Sequence, residues 1–200
     1  MEVLTIPVGP LGANSYVLSN GDEAIIIDAG DECEKILSIL ASKNLKPIAV
    51  LLTHGHFDHC GGAKFFQDKN IPIYLHEDDI KLINGDGHLA SFCGLDFARF
   101  NPDFKIKDGD EIAFADKTIK VIHTPGHTDG SVCYLIDELV FSGDTLFYLS
   151  IGRTDFPSGN TSKMRLSLQK LFTMDENLTV YPGHGERTTI GFEKKNNPYA

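Results

Sequence analysis

Residues 51–62 read LLTHGHFDHCGG, with three histidines and one aspartate inside six positions directly after an apolar run. Imidazole and carboxylate are the usual donors for divalent cations, so this density in one turn points to a held positive charge. His54 and His56 lie two apart just past a strand, where an extended backbone aims both side chains the same way. Asp58 and His59 follow at the mouth of the next helix, whose N-terminus favours negative charge. A His-x-His pair is a weak signal by itself.

Three further stretches repeat the pattern. HTPGHTDGS places His123 and His127 at a strand-to-loop transition, LVFSGDTLF ends a strand at Asp144 after Gly143, and LTVYPGHGE ends another at His184 between two glycines. Each is an apolar strand, a glycine-containing turn that permits close approach to an ion, and a metal-capable side chain. His54, His56, Asp58, His59, His127, Asp144 and His184 together make five imidazoles and two carboxylates. That exceeds the three protein ligands of one catalytic zinc and fits two ions about 3.5–4 Å apart sharing a carboxylate. Zinc suits these donors, as do iron and manganese.

The elements that must position these residues follow from periodicity and turn signals. Strands are expected at 3–8, 16–19, 24–28, 47–53 and 71–75, with helices over 32–42 and from Gly61 to Asp68. Residues 84–110, rich in Gly, Asp and Asn, read as a long surface loop, a usual place for substrate contacts. Strands near 111–114, 117–123, 131–136 and 139–142, a helix over 162–171 and a strand over 178–183 complete the second half. Strands followed by a helix, twice over, predict one domain of two facing halves with sheets inside and helices outside.

The bulk numbers exclude more than they identify. A formal charge of −10 over 200 residues argues against nucleic acid and anionic membrane surfaces as partners. Cys33, Cys60, Cys93 and Cys133 are widely spaced, with neither a Cys-x-x-Cys pair nor a disulfide pattern. The N-terminus lacks a basic segment followed by an apolar stretch, so a cytoplasmic enzyme is expected.

The order His54-x-His56-x-Asp58-His59, then His127, Asp144 and His184, resembles the metallo-β-lactamase superfamily over nearly the whole chain. HTPGHTDGS, FSGDTLF, IGRTDFP and YPGHGERTTIGFEKKNNPY resemble its glyoxalase II-like branch, the hydroxyacylglutathione hydrolases and their shorter bacterial relatives. The resemblance implies an α+β fold, a four-layer αββα sandwich with the metal site at the edge of the two sheets. It assigns His54, His56 and His127 to one divalent ion and Asp58, His59 and His184 to the other, with Asp144 bridging. His56 stands where the di-iron flavoprotein branch has glutamate, and Asp144 where the main antibiotic-hydrolysing class has cysteine. The expected chemistry is hydrolysis of a small-molecule thioester or ester by a metal-bridging hydroxide, with Asp58 orienting it and accepting its proton.

The resemblance thins in two places. The chain runs sixteen residues past His184, so the helical glutathione-binding domain of the longer enzymes is not expected. Where those enzymes show lysine and, two positions on, tyrosine, this sequence has Arg153 and Asp155. Arg153 either pairs with an anionic substrate group or locks its loop through Asp155. Alternatives are a mononuclear iron persulfide dioxygenase using His54, His127 and Asp144, whose Gly-Arg-Thr-Asp-Phe stretch is matched at 152–156, a lactone or β-lactam hydrolase, and a non-catalytic binding module. His123 and His76 read as buried supports, His88 as either solvated or substrate-facing, and Cys60 as a packing residue.

Overall fold

The computed structural model describes residues 1–200. Strands β1 (Glu2–Val8), β2 (Ala13–Asn20), β3 (Glu23–Ile27), β4 (Lys46–Leu51), β5 (Ile73–His76) and β6 (Phe104–Ile106) form one sheet in that order. Strands β7 (Glu111–Phe114), β8 (Lys117–His123), β9 (Val132–Ile136), β10 (Leu139–Gly143), β11 (Thr179–Pro182) and β12 (Thr188–Thr189) form the other, also in chain order. In the first sheet β3, β4, β5 and β6 run parallel, and in the second only β10 and β11 do. Helices α1 (Cys33–Ser42), α2 (Phe57–Cys60), α3 (Ala63–Gln67), α4 (Ile80–Asn84), α5 (Thr161–Leu171) and α6 (Ile190–Asn196) complete the chain.

Strand parity builds the layers. Successive side chains on a strand face opposite ways, so Ala24 and Ile26 of β3 pack with Ile36 and Leu40 of α1 and Phe66 of α3. Ile25 and Ile27 turn instead toward Ile119, Val121, Tyr134 and Phe141 of the opposing sheet. Behind that sheet Cys133 and Val140 meet Met164, Leu168 and Leu171 of α5. Three apolar interfaces make four layers, helix, sheet, sheet and helix, which is the expected αββα sandwich. No helix is long and apolar enough to cross a membrane.

The sheets are tied at one edge by polar contacts. Asn14 Nδ2 donates to the carbonyls of Pro182 and Gly185, and Tyr16 Oη donates to Pro182 O at 2.6 Å. Tyr134 Oη donates to Leu52 O at 2.7 Å, and the Val132 amide to Thr53 O at 2.9 Å. The backbone leaving β4 and the backbone leaving β11 are thus each fixed to the opposite sheet.

Two expectations need correction. The span 84–110 is not all loop: β6 adds a parallel edge strand beside β5, and a single tight turn spans Ser91–Cys93. The helix expected from Gly61 to Asp68 is present as α3, but a separate short helix, α2, precedes it and carries Asp58 and His59, the two parted where Gly61 and Gly62 pass against the backbone of Gly30 and Ala29.

Candidate metal centre

All seven residues singled out by spacing meet at the tied edge, each just beyond a strand. His54 and His56 follow β4, Asp58 and His59 sit on α2, His127 follows β8, Asp144 follows β10 and His184 follows β11. Gly183 is required there: a Cβ would collide with the Asp144 carboxylate and the His59 ring. Gly143 adopts φ +47°, where a side chain would in addition strike Thr53.

The donor atoms fall into two clusters. His54, His56 and His127 form one triad, and Asp58, His59 and His184 another, with the donor atoms of each triad within 4.8 Å of one another. His56 Nδ1 lies 2.8 Å from His127 Nε2, and His184 Nε2 lies 3.2 Å from Asp58 Oδ2. Asp144 spans the clusters, with Oδ1 at 3.3 Å from His59 Nε2 and Oδ2 at 3.4 Å from His127 Nε2.

Outer hydrogen bonds decide which nitrogen is bare on the His54, His59 and His127 rings. Asp28 accepts from the Thr53 amide, from Thr53 Oγ1 and from His59 Nδ1, at 2.7, 2.7 and 2.8 Å. Because Thr53 Oγ1 donates to Asp28, its oxygen is left to accept from His54 Nδ1 at 3.1 Å. His127 Nδ1 donates to Arg153 O at 2.7 Å. The Nε2 lone pairs of His54, His59 and His127 are thereby directed inward, as metal-binding imidazoles require. His54 Nε2, His56 Nε2 and Asp144 Oδ1 are buried without a hydrogen-bond partner. Converging bare lone pairs on buried groups are costly unless a cation takes them, so the residues fit two divalent ions.

The electrostatics agree. Burial and then the neighbouring rings hold His54 neutral and lower His56 to about 3. Burial pushes Asp144 up, but the rings of His59, His127 and His54 outweigh it and keep its carboxyl well below the usual range. Asp58 is likewise lowered, His59 and His184 overcoming its burial. Burial lowers His59, yet Asp144, Asp58 and Asp28 raise it well above an ordinary histidine, a measure of the negative potential focused on that ring.

A cavity of about 550 Å³ opens onto His56, Asp58, His127, Asp144 and His184. Arg153 lines its mouth, but its guanidinium is bidentate to Asp155 at 2.9 and 2.7 Å and stacks on Phe156. The remaining histidines lie outside the cluster. His76 stacks on His123 at 4.1 Å, His123 Nε2 donates to Asp129 O, and His88 is buried against Phe97. Cys60 is buried in the core between sheet and helices, and burial raises its thiol well above the usual value.

Two supports escaped the reading by spacing. Asp28 ends the run AIIIDAG in the same strand–aspartate–glycine pattern that marks Asp144, so its signal was present. Asp79 had none: it accepts from Gly55 N, 24 positions before it, and from Thr128 Oγ1 and Gly130 N, 49 and 51 positions after it, joining the His54–His56 turn to the His127 loop.

Known proteins resemble this chain in sequence and fold. The metallo-β-lactamase superfamily model matches residues 8–184. A probable metallo-hydrolase of Bacillus subtilis, YqgX, is 38% identical, covering 100% of this chain and 97% of its own. The hydroxyacylglutathione hydrolase GloC of Haemophilus influenzae is 35% identical, covering 100% and 98%. Among solved structures, the B3 metallo-β-lactamase BLEG-1 superposes with a TM-score of 0.91 at 37% identity over 99% of both chains. TTHA1623 in a di-iron-bound form gives 0.91 at 37% over 99% and 100%, and ETHE1 from Myxococcus xanthus 0.82 at 30% over 99% and 84%. With its two sheets and its sequence matched over this length, the chain belongs to the metallo-β-lactamase superfamily.

Proposed function

We propose that this metal-dependent hydrolase holds two divalent ions and cleaves small-molecule thioesters, in the manner of hydroxyacylglutathione hydrolases. The observation that carries the reading is Asp144, whose two oxygens face donor nitrogens of the two triads, on His59 and His127. Two bound ions, zinc by the donor set with iron or manganese as alternatives, supply an activated water near neutral pH and polarise the substrate carbonyl. Asp58, ionised and 3.2 Å from His184 Nε2, orients that water and accepts its proton. Asp28, Thr53 and the Arg153 carbonyl hold the rings in the required tautomers. The apolar cavity walls limit water to the reacting face. Four unbridged cysteines accord with a cytoplasmic setting.

Elemental analysis of the purified protein, run with anaerobic hydrolysis of S-lactoylglutathione and of simpler thioesters, tests the proposal. About two ions per chain with oxygen-independent cleavage is expected. About one iron per chain with oxygen uptake on a persulfide overturns it. Turnover of a lactone or β-lactam without thioester cleavage keeps the hydrolytic centre and moves the substrate class.

A further inference from the structure

The walls of the cavity carry information that the metal ligands do not. Eight of its fourteen lining residues are apolar, among them Leu11, Leu89, Phe92, Phe147, Ile151 and Phe156. Phe92, on the turn Ser91–Cys93, is 87% exposed, and Leu11, on the turn joining β1 to β2, is 53% exposed. Both large side chains therefore stand in solvent at the mouth of a cavity that leads to the reacting groups. Burying such surface against an apolar ligand group is favourable in proportion to the area covered.

Charge points the same way. Arg153 is the one lysine or arginine lining the cavity, and Asp155 neutralises it through two hydrogen bonds while Phe156 covers one face at 4.1 Å. A substrate carboxylate that took Arg153 would leave Asp155 unpaired beside it, so the exchange gains no net attraction. Asp31 and Asp96 line the adjoining cleft, which shares Phe57 and Asp58 with this cavity, and the whole chain carries −10. A glutathione carrier, with two carboxylates and one ammonium, meets no unpaired lysine or arginine along these walls, the proposed ions lying at the thioester end.

Resting on the thioester reading, we propose that the preferred substrates pair an uncharged carrier with an apolar acyl group, and that Phe92 and Leu11 close over that group. Phe92 is a specificity-determining residue in this account. It lies outside the metal cluster and exposed, so Phe92→Ala leaves folding and ion content unchanged.

The test uses the metal-loaded protein and two measurements. Kinetics on N-acetylcysteamine thioesters of acetate, butyrate and hexanoate should show kcat/KM rising about threefold per added methylene. S-lactoylglutathione should fall at least tenfold below the hexanoyl compound. Phe92→Ala should raise KM for the hexanoyl thioester about tenfold and that for the acetyl thioester by a much smaller factor, so that the preference for the longer chain collapses. Calorimetry then compares two non-hydrolysable thioethers, S-hexyl-N-acetylcysteamine and S-hexylglutathione, and the uncharged one should bind at least tenfold tighter. Equal or better turnover of S-lactoylglutathione, or equal binding of the two thioethers, overturns the inference while the hydrolase reading stands. Absence of any thioester cleavage with the thioether preference intact overturns the thioester reading alone.

Discussion

Asp28 sits in the left-handed region at φ 58°, buried, with three donors on its two oxygens. Asparagine there replaces one oxygen with an NH₂ group that faces a donor, so Asp28→Asn frees either the Thr53 amide, which donates to Oδ1, or both the Thr53 hydroxyl and the His59 ring, which share Oδ2. Ion affinity should fall by about 10–100-fold, read by chelator competition. Asp144→Asn acts differently, because it removes the anion shared by both triads. Ion content should drop from about two per chain toward one, with hydrolysis largely lost, as elemental analysis alongside kinetics would record. At this scale the candidate cluster was legible because its polar side chains follow apolar strands, directly or, for Asp58 and His59, on the short helix after β4. Asp79 was not, since hydrogen bonds spanning 24 and 51 positions leave no local pattern.

Elements were legible in proportion to their burial. The span 117–123 was expected as a strand and is β8 residue for residue, because the alternation of Ile119 and Val121 inward with Lys120 outward is undiluted. Edge strand β6 went unseen: its three residues leave Phe104 and Lys105 exposed, and pairing with β5 rather than its own sequence makes it a strand. Helix α6 also escaped, for its seven residues depend on a Thr189 cap and on buried Glu193, which accepts from Thr188, Leu149 and Asn197. At the end of β5, burial and then the stacked His123 ring lower His76, with Asp78, Glu77 and Asp108 opposing them. A depressed histidine contributes stability above its unfolded value of about 6.5 and loses it as pH falls below that. The melting temperature of the wild type should therefore drop more between about pH 7.5 and about pH 5.5 than that of His76→Gln. An equal drop in both would remove His76 from the account.

At the scale of the molecule, the repeated strands-then-helix order led directly to two sheets inside two helical layers, since apolar strands of both parities need cover on both faces. Which face met which sheet was beyond the sequence, because a fully buried strand such as β3 reads the same from either side. The first triad takes His54 and His56 from beyond the first sheet and His127 from beyond the second, and the other triad is divided likewise. Each ion would thus cross-link the sheets. Its removal by EDTA should lower the melting temperature by about 5–10 °C, restored by re-addition of zinc. An unchanged melting temperature would mean that the seam holds without the ions.

Each sheet is one unbroken length of chain, residues 2–106 and then 111–189, joined through the exposed turn at Lys107–Gly109. A nick in that turn would leave two polypeptides, one carrying His54, His56, Asp58 and His59, the other His127, Asp144 and His184. Neither piece owns a complete coordination sphere, and every sphere is finished only by its counterpart. Divided there, the two fragments would still share the apolar face between the sheets, while enzymatic turnover would return only with both halves and both proposed ions in place.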